Sequence, residues 1–370
     1  MTKTKISSII GATILCLGTY SIAKAEIVIG IAGPMTGSVA FLGEQQDIGA
    51  KRAVADINAA GGVLGQQIST VVVDDACDGE QSAAAAAQLI AAKVAFVNGH
   101  ICSGASIAAS GLYEDSKIIM MSPASTNPRV TDDGGRNVFR VIGRDDDQAV
   151  VGAEFLATEY ADKNIAVVGG TNPYGAGLAK GVLDELKKRG VEPAMVATFE
   201  SDGDSYDGIV DQLVASEIDI AYLISNSPSD MGLIALQARE LLPEIQFLSG
   251  DALSGDDYLL VAGEAGVGTL FTFGPDARLL PSAAVVTEAI REEDFFEPAG
   301  YTLYSYTAVQ TWAQAVEKAG TTDYVKVIKA LEENEFDTVI GKIGFNEKGD
   351  VTGVANFVFY EYGEETYTQK

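Results

Sequence analysis

The chain is poor in the residues on which most catalytic and metal chemistry depends. It has one histidine, His100, and three cysteines among 370 residues. One His and so few Cys fall short of a structural zinc set, and no H-x-x-x-H or C-x-x-C spacing occurs. Basic residues are also scarce, 25 against 52 acidic ones. Such a chain repels phosphate backbones and anionic lipid, which excludes nucleic acid as a partner. After the first 25 residues no apolar run is long enough to span a membrane. No low-complexity linker and no short internal repeat is present, which argues against beads on a string and against a solenoid.

The first 25 residues differ from the rest. A basic start, "MTKTK", precedes the apolar "ISSIIGATILCLGTYSI", and "AKA" places small residues at Ala23 and Ala25. This reads as a secretory signal cleaved before Glu26. A lipoprotein signal needs a small residue before its cysteine, and Leu15 precedes Cys16, so no lipid anchor is expected. Cleavage leaves 22 basic and 52 acidic residues, a net charge of −30. It also leaves only Cys77 and Cys102. An even pair in an exported chain argues for one disulfide, worth roughly 3.5 kcal/mol on the chain-entropy model.

Strand-like and helix-like stretches alternate. "EIVIGIAGP" reads as a buried strand, and residues 44–60 as a helix carrying Ile48, Ala53, Val54 and Ile57. "ISTVVVDD", an alanine-rich helix over 80–93, "VAFVNGH", the helix "GASIAASGLYEDS" and the strand "KIIMMSPAS" follow. The same grammar restarts near residue 145 and runs to "IQFLSGD". Helices at 282–293, 301–319 and 323–334 and a late strand, "VANFVFYEY", complete the chain. This is the pattern of two α/β lobes, each with a parallel sheet covered by helices, the chain crossing between them over short hinges.

In doubly wound sheets, ligands bind where strands end and loops begin. Four such ends stand out: "GHICSGAS", "SPASTNP", "GTNPYGAG" and "LSGDALSG". A Cys/His nucleophile in the first is disfavoured, because Cys77 competes for the Cys102 sulfur and an oxidised sulfur cannot attack. His100 reads instead as a packed, hydrogen-bonded strand-end residue. The glycine loop "GGTNPYGAGLAKG" is no phosphate loop: Ala176 and Gly177 follow Gly175, and Lys180 sits where a third Gly belongs. "SDGDSYDG" is no calcium loop, having Tyr206 at the third ligand position and Leu213 in place of the closing Glu. "RDDDQ" at 144–148 reads as a solvated turn and helix start rather than a metal site. What remains is a vocabulary of binding. Ser103 at a helix start suits a carboxylate. The Ala124 carbonyl and Thr126 offer acceptors and a donor, Asp251 could receive a cation, and Tyr174 and Tyr301 could wall an apolar slot.

These residues sit in motifs that resemble the periplasmic leucine/isoleucine/valine-binding proteins, the branched-chain amino-acid receptors of ABC importers. "GPMTGSVAFLGEQQDIGAKRAVADINAAGGVLGQ", "GHICSGAS…YEDSKIIMMSPASTNPRVT", "YGAGLAKGV" and "GYTLYSYTAVQ" carry the likeness over essentially the whole mature chain. The resemblance implies a type I periplasmic binding protein: two Rossmann-like lobes joined by three hinge crossovers. They would comprise residues 26–144 plus 274–351 and residues 145–273 plus 352–370. It implies a monomeric, non-enzymatic periplasmic receptor without cofactor or metal, which delivers an amino acid to an inner-membrane ABC permease. The ligand carboxylate would meet Ser103 and Thr126, within the loop Ala124–Ser125–Thr126. The ammonium would meet the Ala124 carbonyl, Thr126 and Asp251, and Cys77 would pair with Cys102. There are departures. The family's usual ammonium-binding Glu is Asp251, and two aromatic positions become Leu42 and Asn226. The amino-acid clamp is thus largely kept while the side-chain pocket is altered.

Overall fold

The computed structural model describes residues 26–370 except 204, 256 and 355. The proposed signal segment, with Cys16, lies outside the described residues. Two sheets dominate. The first contains β1 (Ile27–Gly33), β2 (Ile68–Asp74), β3 (Phe96–Gly99), β4 (Ile119–Ser122) and β5 (Val138–Arg140). It is parallel throughout, in the order β2-β1-β3-β4-β5. Its connecting helices are α1 (Ala40–Ala59), α2 (Gly79–Ala91), α3 (Ser103–Asp115) and the short α4 (Arg129–Asp132).

The chain then crosses to a second unit. It begins with α5 (Asp145–Glu159) and continues through β6 (Ile165–Gly170), α6 (Pro173–Lys188), β7 (Met195–Phe199), α7 (Asp207–Ala215) and β8 (Ile220–Ile224). α8 (Pro228–Leu241), β9 (Gln246–Ser249), α9 (Asp257–Ala262) and β10 (Leu270–Phe273) follow. A return crossing leads to α10 (Ala284–Ala289), α11 (Thr302–Ala319) and α12 (Tyr324–Glu333), with α11 packed on α1, β3 and β4. A small antiparallel sheet of β11 (Phe336–Thr338), β12 (Gly341–Phe345) and β13 (Val351–Thr352) comes next. The third crossing delivers β14 (Val358–Tyr362) and β15 (Tyr367–Gln369) to the second sheet, whose order is β15-β14-β10-β9-β8-β6-β7.

The architecture is therefore the two-lobed, three-crossover α/β fold implied by the sequence, with two differences. The second sheet is mixed: β10, β14 and β15 pair antiparallel, because the last crossing enters beside β10 from the opposite direction. The third small sheet was not anticipated, since its strands of two to five residues are too short to show a period. Elsewhere the expected elements hold to within a few residues. The inner strands are buried on both faces, as in β8, where all five residues are buried, while the edge strands β2 and β7 are partly exposed.

Candidate functional site

The site lies where the strand ends of the two sheets face each other. β3 runs into α3, and Cys102 and Ser103 stand at that junction. Ser103 is the first residue of α3, and no side chain caps the helix. Its hydroxyl accepts from the Asn127 N–H at 3.3 Å. The free N–H groups of the first helical turn thus carry their partial positive charge toward the cleft. Across the cleft, α6 starts at Pro173, with Asn172 as its cap accepting from the Gly175 N–H at 2.9 Å. Tyr174 follows on the first turn. Asp251 comes just after β9, and Tyr301 just before α11.

Ser103, Ala124, Leu42 and Tyr301 share one small cavity with Tyr174, Asn226 and Asp251 from the opposite unit. Ile101, Cys102 and Ala252 also line it. These three were not singled out as lining residues; Cys102 and Ala252 adjoin positions that were. Asp251 is the electrostatic centre. Tyr174 Oη donates to its Oδ1 at 2.8 Å, and Tyr301 Oη donates to its Oδ2 at 2.6 Å. Burial raises the Asp251 pKa above the ordinary carboxylate range, and the two phenols oppose that rise. The phenols in turn are pushed well above the usual tyrosine value by burial and by the Asp251 charge, so they remain donors. Gly250 makes this geometry possible. A Cβ there would lie 2.3 Å from Tyr174 Oη.

Thr126 is fully buried, and its hydroxyl has no hydrogen-bond partner among the described residues. Ser125 is placed differently. Its hydroxyl donates to the carbonyl of Ile101 at 2.9 Å and lies 3.1 Å from that of His100, so it ties the loop down behind the cavity. Asn226 spans the cleft. Its Oδ1 accepts from Asn172 at 2.9 Å, and its Nδ2 donates to Cys77 Sγ at 2.9 Å.

Cys77 and Cys102 form a disulfide with Cα atoms 5.4 Å apart. His100 is fully buried between Asp75, 2.5 Å from Nδ1, and Tyr113, 3.1 Å from Nε2. The only histidine is thus a packed strand-end residue. Among the described residues no cluster of His, Cys, Asp and Glu could hold a metal. The run at 144–148 departs from the sequence reading. "RDDDQ" does start a helix, but it is not uniformly solvated: Asp146 and Asp147 are exposed while Asp145 is only 2% exposed and Gln148 is fully buried.

A helix N-terminus and a buried carboxylate face one cavity between two hinged α/β units. That arrangement defines a solute-binding protein, with each unit supplying part of one site. Sequence comparison places it more narrowly. The model of the periplasmic binding protein family matches residues 26–366, and the chain belongs to that family. It is 36% identical over 376 residues to the Leu/Ile/Val-binding protein homolog 1 of Brucella melitensis biotype 1, covering all of both chains. It is 34% identical over 348 residues to the leucine-, isoleucine-, valine-, threonine-, and alanine-binding protein of Pseudomonas aeruginosa, covering 94% of this chain and 92% of that one. Among solved structures, the leucine-binding protein of Thermotoga maritima superposes with a TM-score of 0.85 at 26% identity, covering 93% of this chain and 97% of that one. The family is one of substrate binders rather than enzymes.

Proposed function

We propose that the protein is a periplasmic receptor that captures a small α-amino acid and hands it to an ABC importer. The observation that carries this reading is the pairing of opposite polarities in one cavity. The α3 N-terminus with Ser103 suits a carboxylate, and Asp251, held by two tyrosine hydroxyls, suits an ammonium. In this reading Ser103 and Thr126 meet the carboxylate, while the Ala124 carbonyl, Thr126 and Asp251 meet the ammonium. Tyr174 and Tyr301 close over the ligand. Ser125 contributes by holding its loop. The lobes are residues 26–144 plus 274–351 and 145–273 plus 352–370. Residues 1–25 direct export, and the mature chain acts as a monomer with a membrane permease as its partner.

The side-chain end of the cavity is walled by Leu42, Ile101, Ala252 and the Asn226 amide. This suits short aliphatic side chains and tolerates a small polar one. The relative that binds threonine and alanine as well as the branched-chain acids supports such breadth. The test is mass spectrometry of the natively purified protein, followed by calorimetry against the common amino acids. Binding of small aliphatic amino acids is expected, and a protein silent to all amino acids contradicts the reading. Asp251→Ala is expected to weaken amino-acid binding by about 3–5 kcal/mol, the usual cost of removing one partner of a desolvated ion pair. A loss below about tenfold would place the ammonium elsewhere.

A further inference from the structure

Asp145 has no role in the site as described so far. Its backbone N–H donates to the Thr126 carbonyl at 2.9 Å, which fixes the residue beside the ligand loop. Its side chain is buried, yet neither carboxylate oxygen has a well-formed hydrogen bond among the described residues. The Thr126 hydroxyl lies near enough only to offset part of the cost of burial. The Arg140 guanidinium is close enough to act through its charge, but its donors are engaged. They go to Asp350 at 2.8 Å, to the carbonyls of Ser125 and Asn127 at 3.0 Å each, and to Pro128 and Thr131.

The unpartnered atoms form a set. Both oxygens of Asp145, the Thr126 hydroxyl, Gln148 Oε1 and the Ser254 hydroxyl all lack partners among the described residues. Asp145 and Asp251 lie close enough for each charge to be felt by the other's neighbours. Tyr174 and Tyr301, which bond to Asp251, both sense Asp145. Folded proteins rarely leave a buried carboxylate unpaired, because the desolvation penalty is large. Three of these five atoms can only accept and the two hydroxyls can accept as well, so the set suits a compact cation with several N–H groups.

We propose that Asp145 is a second acceptor for the cationic group of the ligand, which sits between Asp145 and Asp251. This assigns a binding residue in the run 144–148, and it makes the site selective for ligands that carry a primary ammonium. The inference rests on the amino-acid reading above.

The test uses the full mature protein and calorimetry with two ligands. One is the amino acid that binds best to the native protein. The other is its desamino analogue, which keeps the carboxylate and side chain. Asp145→Asn, nearly isosteric, is expected to weaken the amino acid by at least about tenfold. It should leave the analogue's affinity unchanged or raise it, since a negative charge without its cation has been removed. Equal losses for both ligands would make Asp145 a structural residue and overturn the inference, as would an unchanged affinity for the amino acid. In either case native binding and the Asp251→Ala loss still stand, so the receptor reading survives. If the native protein binds no amino acid, both readings fall together. Should Asp145→Asn not fold, Asp145→Ser leaves room at the site and carries the same two-ligand comparison.

Discussion

At the scale of single residues, four acids have separate fates. Asp146 and Asp147 face water, while Asp145 is buried beside the Thr126 loop and Asp251 is buried at the cavity. Burial pushes Asp145 well above the ordinary carboxylate range, and the Asp251 charge adds to the rise; Arg140 and Thr126 oppose it, and Asp146 reinforces it. Asp251 is raised by burial and restrained by Tyr301 and Tyr174. Two raised, neighbouring carboxylates favour keeping a proton in the free site. An ammonium favours both in the ionised form. Ligand binding should therefore release a proton, and affinity should fall as pH drops through the raised range of the two carboxyls. Calorimetry over that range, in buffers of different ionisation enthalpy, checks this. A flat affinity with buffer-independent heat would contradict it. Asp251 was legible in the sequence because it follows a strand and a glycine. Asp145 was not: successive helical residues point about 100° apart, and only the packed neighbours decide which of three adjacent acids turns inward.

At the scale of elements, the decisive contact is between the N-terminal turns of α3 and α6, which come from opposite lobes. A Cβ at Gly104 would lie 3.1 Å from the Pro173 ring, and Asn127 Nδ2 donates to the Pro173 carbonyl at 2.7 Å. These contacts join the two lobes, so they contribute to the arrangement in which the lobes meet and not to either lobe alone. Gly104→Leu should act as a wedge. It should weaken ligand binding by at least about tenfold while changing the unfolding midpoint little, because the position faces the cleft and not a core. Solution X-ray scattering should then show no ligand-induced contraction. Unchanged affinity would show that α3 and α6 need not approach this closely. Long periodic helices and buried strands were readable from composition and period. β5 and β11 to β13 were not, because two to five residues carry too little pattern and their pairing comes from distant strands.

At the scale of the whole molecule, a buried ionic network ties two of the crossovers to the ligand loop. Arg140, fully buried, bonds to Asp350 Oδ1 at 2.8 Å, and Arg144 reaches Asp350 Oδ2 at 3.1 Å. Arg140 also holds the Ser125 and Asn127 carbonyls, on either side of Thr126. Burial alone would raise the Asp350 carboxyl, but the Arg140 charge, the hydrogen bonds from Thr131 and Asn346 and the Arg144 charge together override it and hold the group below its usual range. That contribution to stability is present above the carboxyl's unfolded pKa and is lost as pH falls through the lower folded value. Asp350→Asn leaves Arg140 buried without its counter-charge. It should cost about 3–5 kcal/mol in a denaturant titration at neutral pH. A loss under about 1 kcal/mol would show that the backbone carbonyls suffice to hold the guanidinium.

The sequence by itself determined the strand–helix alternation, the return of that grammar in a second unit and the strand ends that could bear a ligand. These depend on local period and on residue chemistry, which are visible one stretch at a time. The even cysteine pair and the packed reading of His100 were legible for the same reason. Only the tertiary structure decided that Tyr174 and Tyr301 both donate to Asp251, that Asn226 bridges the cleft to the disulfide, and that Ser125 turns away to the Ile101 carbonyl. It alone turned Asp145 from a solvated acid into a buried one. Each of these outcomes joins residues from chain segments far apart in sequence, and burial, which sets the cost of every unpaired charge, is a property of the packed molecule and not of any segment in it.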